Sequence, residues 1–147
     1  MVDANKAGQN NVNIVNKTVI ANTAATLDQL AALKAIVEPG GGAGAFTHNA
    51  VTDSYANLTN ASKAGQSNVN IVDKAVVANT SMSLQNGIDL RTIITANGSG
   101  SLTNATVSDS ALNFFNARTA GSAYNQANDY TGKTITISTA ATAAQYA

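Results

Sequence analysis

Val12-Asn13-Ile14-Val15-Asn16-Lys17-Thr18-Val19-Ile20-Ala21-Asn22-Thr23 returns as Val69-Asn70-Ile71-Val72-Asp73-Lys74-Ala75-Val76-Val77-Ala78-Asn79-Thr80, and how this stretch folds decides the architecture. Read as helix, a seven-residue frame puts Val12, Val19, Thr26 and Leu33 at one core position and Val15, Asn22, Gln29 and Ile36 at the other. The second copy gives Val69, Val76, Ser83 and Leu90 with Val72, Asn79, Asn86 and Ile93. Asn22, Gln29, Asn79 and Asn86 then read as polar layers that set register among the valines Val12, Val15, Val69 and Val72. Read as strand, Val12, Ile14, Thr18 and Ile20 share a face, and the β-branched content favours extended backbone. Ile14 and Ile71 also lie off the helical stripe. The helix reading is preferred because the apolar stripe runs unbroken into a segment with strong helix signals.

That segment opens at Thr26-Leu27-Asp28-Gln29, the form of a capping box, and carries Leu27, Leu30, Leu33, Ile36 and Val37 at helical spacing. Pro39-Gly40-Gly41-Gly42 stops it and reads as a flexible hinge. Its copy runs through Leu84, Ile88, Leu90, Ile93 and Ile94 to Asn97-Gly98. Thr52-Asp53 and Ser108-Asp109 are expected N-caps of shorter helices. Thr131 to Thr139 alternates apolar and polar and predicts one strand, which needs a partner inside the chain or on a neighbour.

The repeat extends well beyond the opening stretch. From Lys6–Leu27 to Lys63–Leu84, an offset of 57, 15 of 22 positions are identical. Residues 6–38 and 63–95 are equivalent, and 107–128 is a partial third copy of 51–72. The expectation is one domain over 1–147, mainly α: duplicated helix–Gly-loop–helix units in an elongated helical bundle with a short C-terminal β-strand.

Hydrophobic residues make up 44% of the 147 and charged residues 11%, with zero formal net charge. Such a chain is not disordered by composition, and its sparse charge favours association. Nucleic-acid binding is disfavoured, because Lys and Arg are few and scattered. No apolar run is long enough to span a membrane, and Met1–Lys6 does not start a secretion leader. With no cysteine and one histidine, thiolate and His-cluster metal sites are not expected, nor is any cofactor. His48 is expected at the surface or as a helix cap. Gly40–Gly44 lacks the preceding strand and following Lys of a phosphate loop. The carboxylates are dispersed, so no pair converges for acid–base chemistry, and no catalytic residue is expected.

These features point to a non-enzymatic, self-assembling structural protein. The best fit is a phage virion component (capsid cement, decoration or fibre protein) assembled in the host cytoplasm. Its partners would be other copies of itself and another structural subunit, with neither nucleic acid nor membrane. The alternative is an extracellular filament or adhesin subunit. The texture around Lys6-Ala7-Gly8-Gln9 resembles flagellin terminal helices, and Ala21–Gln29 resembles a curli-type repeat, each over a short stretch. A small carbohydrate- or surface-binding module ranks third.

Overall fold

A computed structural model of the chain describes residues 14–60, 70–118, 131–140 and 142–146. It overturns the helical bundle. The undecided stretch is a strand in both copies: β1, Thr18–Ala21, and later β4, Ala75–Ala78. Two local causes outweigh the helical stripe. Asn16 and Asp73 stand in the left-handed region, at φ 58° and 60°, which breaks any helix entering from Val12 or Val69. After them come Thr18-Val19-Ile20 and Val76-Val77, whose branched side chains suit a pleat better than a helix.

The elements follow a two-part rhythm. After β1 comes α1, Leu27–Val37, then a short 3-10 turn at Pro39–Gly41. Next are β2, Ala45–His48, and β3, Ala50–Asp53, almost continuous with each other, and the short helix α2, Tyr55–Thr59. The second copy repeats the order with β4, α3 (Leu84–Ile94), β5 (Ser101–Asn104), β6 (Thr106–Asp109) and α4 (Ala111–Ala117). A third round begins with β7, Thr134–Ile137, and the single-turn α5, Ala143–Tyr146. The predicted helix–Gly-loop–helix unit is therefore corrected to helix–turn–strand.

All strand pairings among the described residues are parallel: β1 with β2, β3 with β4, β4 with β5, and β6 with β7. Thr18 faces Ala45, Ala50 faces Ala75, Ala75 faces Ser101 and Thr106 faces Thr134, so one coil takes 25–28 residues. Parallel strands joined through helices in successive coils make a solenoid. The stack also steps sideways. The coil below pairs with β2, whereas the coil above pairs with β3; single bridges Ala25–Val51 and Met82–Val107 tie the offset columns together.

Inside the coils, strand residues alternate. Val51, Val76 and Val107 are buried, and Val76 and Val107 pair with Leu102 and Ile135. Leu27, Leu30, Leu58, Leu90 and Ile94 close the core from the helical side. Leu84, Val107 and Ala117 form a second cluster.

Candidate assembly site: clamps between coils

The starts of α1 to α4 are each capped twice, once from the same coil and once from the next. The local caps are Thr26, Ser54, Ser83 and Ser110, each accepting from the backbone N–H three residues on. Thr26 and Gln29 complete the expected capping box, with Gln29 Oε1 accepting from Thr26 N–H at 3.0 Å. Asp53 and Asp109, expected as N-caps of the short helices, instead end the strands β3 and β6. They stand one residue before the actual N-caps Ser54 and Ser110, and they reach another coil. Asp53, only 5% exposed, accepts from Leu27 N–H of the preceding coil at 3.0 Å. It also accepts from Ser54 N–H at 2.8 Å and Asn57 Nδ2 at 2.7 Å. Asp109 repeats this set with Leu84, Ser110 and Asn113.

The alternate coils use a hydroxyl instead. Thr80 Oγ1 accepts from Tyr55 N–H at 3.0 Å, and Thr139 Oγ1 accepts from Ala111 N–H at 3.2 Å. So the first amides of α1 to α4 are held, in turn, by Asp53, Thr80, Asp109 and Thr139. An amide at a helix start has no partner within its own helix, and one trapped between coils would cost free energy. These four residues supply the partner only when the coils are in register, which makes them the register device of the stack.

The amides proposed for that role sit elsewhere. Asn22, Gln29 and Asn79 are exposed and Asn86 is half-buried. Asn22 does reach the next coil, where Oδ1 accepts from Asn49 Nδ2 at 3.4 Å. Val15 is 38% exposed and Val72 half-buried in turns, while Val12 and Val69 lie outside the described residues. The heptad frame that placed all eight in a seam required a helix through Thr18–Ala21. The clamps themselves carried a sequence signal: Asp53-Ser54 and Asp109-Ser110 are two cap-type residues in succession where a helix needs only one.

The same frame exposes a third copy missed in the tail. Gly132-Lys133-Thr134-Ile135 and Thr139-Ala140-Ala141-Thr142 align with Asn16-Lys17-Thr18-Val19 and Thr23-Ala24-Ala25-Thr26. Gly132 has φ 75°, matching Asn16 and Asp73 at the same place in the coil.

His48 is not at the surface. It is 5% exposed, stacked on Phe46 with ring centroids 6.2 Å apart, and its Nδ1 has no hydrogen-bond partner among the described residues. Burial, then the nearby Lys74 charge, lowers its pKa, against the opposing pull of a backbone hydrogen bond at Asn70. The folded protein thus binds the proton less readily than the unfolded chain. This stability is complete above the unfolded value of about 6.5 and declines as pH falls from there toward the folded pKa. Melting temperature should therefore drop between pH 7.5 and 5. His48→Asn, which installs the residue found at the equivalent Asn104, should flatten that part of the pH profile.

No helix among the described residues is long and apolar enough to cross a membrane. No family model matches the chain, and neither a curated protein nor a solved structure matches it.

Proposed function

We propose that the protein is a non-enzymatic structural subunit whose coils add end to end, so that copies extend one another into a fibre. The observation that carries this reading is the exposed apolar face of β7. Val107 is 1% exposed, whereas its partner Ile135 in β7 is 39% exposed, and Ile137 in the same strand is 40% exposed. All four residues of β7 are exposed. An exposed strand edge with apolar side chains is a template for another strand. The low surface charge works in the same direction. Among the settings the composition suggests, a fibre of a virion or a cell surface uses such an edge directly. A cement protein, which seals a closed shell, has less need of one.

Sedimentation velocity and negative-stain electron microscopy across a concentration series test this. The wild-type chain should form a ladder of oligomers or filaments. Ile135→Lys with Ile137→Lys should shift the assembly midpoint at least about tenfold in concentration, because each ammonium would have to be desolvated against the next coil. A monomer at every concentration in the wild type would refute the proposal.

A further inference from the structure

The chain has two Asn-Gly pairs, Asn86-Gly87 and Asn97-Gly98, and the fold places them in opposite settings. Asn86 lies in the first turn of α3, where its N–H donates to Ser83 Oγ at 3.1 Å and Gly87 N–H donates to the Ser83 carbonyl at 3.1 Å. Asn97 lies in the exposed turn after α3 and is followed by Gly98 at φ +90°. A side chain at Gly98 would meet nothing within 4 Å, so this turn stands clear of the rest of the coil. Gly98 N–H donates to the Thr95 carbonyl at 2.8 Å, a surface bond that local opening releases without unfolding the helix. The first copy turns through Pro39–Gly44 and has no Asn there.

The Asn97 amide also has a structural task. Asp73, the left-handed residue that leads into β4, donates its N–H to the Ile94 carbonyl at 2.7 Å. Its carboxylate accepts from Asn97 Nδ2 at 3.0 Å on one oxygen and from Ser99 N–H at 3.3 Å on the other. The bond from Asn97 above all holds the Asp73 carboxyl below the usual carboxylate range. The turn that closes the coil is thereby fastened to the coil's own beginning.

We propose that Asn97 is a site of spontaneous covalent modification, in which its side-chain amide becomes a carboxylate and unfastens this turn. The Gly98 nitrogen attacks Asn97 Cγ, and the bond from Cγ to the side-chain nitrogen breaks. A proton passes from the attacking nitrogen to the departing one, which leaves as ammonia, and a five-membered succinimide remains. Water then adds to either ring carbonyl and opens it to aspartate or isoaspartate. One water is consumed and one ammonia released, with no change of oxidation state. Glycine favours closure because it carries no Cβ to obstruct the approach. In α3 the helical ladder holds the Gly87 nitrogen against the Ser83 carbonyl and away from the Asn86 side chain. At position 97 the new carboxylate has no N–H to offer Asp73 and sets a like charge beside it, which disfavours the charged form of both.

The full chain, held at pH 8.5 and 37 °C, is followed by intact mass and by peptide mapping that resolves isoaspartate. Conversion at Asn97 should run at least about tenfold faster than at Asn86, because the exposed turn opens more readily than the helix. Asn97→Gln, which keeps an amide donor but needs a larger ring to cyclise, should remove the fast conversion. Asn97→Asp, which installs one product, should melt below the wild type and recover part of the loss in high salt. It should also raise the Asp73 pKa, read from the carbon NMR titration of its carboxylate. Survival of Asn97 while a free Ala-Asn-Gly-Ser peptide converts would overturn the proposal, as would equally fast conversion at Asn86. So would an Asn97→Asp protein that melts with the wild type and leaves the Asp73 pKa unchanged.

Discussion

Asp53→Ala should lower the free energy of unfolding by about 3 kcal/mol, measured by urea denaturation. The carboxylate accepts three hydrogen bonds from a nearly inaccessible position, and one of them belongs to the preceding coil. Alanine offers no acceptor, so Leu27 N–H at the start of α1 is left without its partner between two coils. Bonds to a charged acceptor contribute about 1.5–3 kcal/mol each, though not additively. Asp53→Asn keeps an acceptor oxygen and should cost roughly half as much. Thr80→Val, removing a single neutral acceptor, should cost about 1 kcal/mol. Coils interact mainly with their neighbours, so hydrogen exchange should rise in α1 and α2 before it rises in α4.

Gly44→Ala should be as damaging, at about 3 kcal/mol, the upper part of the range for overpacking. An added Cβ would lie 2.1 Å from the Val37 carbonyl oxygen and 2.9 Å from its carbon, and both are backbone atoms that cannot swing away. The end of α1 and the entry to β2 touch here, which is how the chain turns from helix to strand within one coil. The glycine run is therefore not uniformly a hinge. Gly40 meets nothing within 4 Å and needs its glycine only for φ +61°, so Gly40→Ala should cost about 1–2 kcal/mol. Parallel thermal melts of the two variants separate close approach from backbone conformation.

Much of the local structure was legible in the sequence. The capping box at Thr26–Gln29, the helices over Leu27–Val37 and Leu84–Ile94, and the strand in the tail all follow from side-chain chemistry within a few residues. Local chemistry of this kind leaves a local trace. The strands β1 and β4 did not read as clearly, because at four residues each they are shorter than the span over which helical and alternating patterns separate. Their partners are 25–27 residues away, and parallel pairing has no turn motif to announce it. The decisive clue was present but small: a turn-forming residue, Asn16, Asp73 or Gly132, recurring just before a Lys, with a β-branched pair within the next three residues. The sequence marked Asp53 and Asp109 as polar residues at helix starts but misplaced the N-caps by one residue, since Ser54 and Ser110 hold them. The reach of the aspartates to another coil depends on the stacking.

The chain has no cysteine of its own, which makes disulfide mapping the most direct test of stacked parallel coils. Thr52 faces Val77, and Val77 faces Thr103. Neighbouring strands lie about 4.8 Å apart, within reach of a disulfide, whereas strands two apart, at about 9.6 Å, are not. Thr52→Cys with Val77→Cys should cross-link on mild oxidation, as should Val77→Cys with Thr103→Cys. Thr52→Cys with Thr103→Cys should stay reduced. Cross-linking of that last pair within a monomer, or failure of the first two in a folded protein, would contradict the stack.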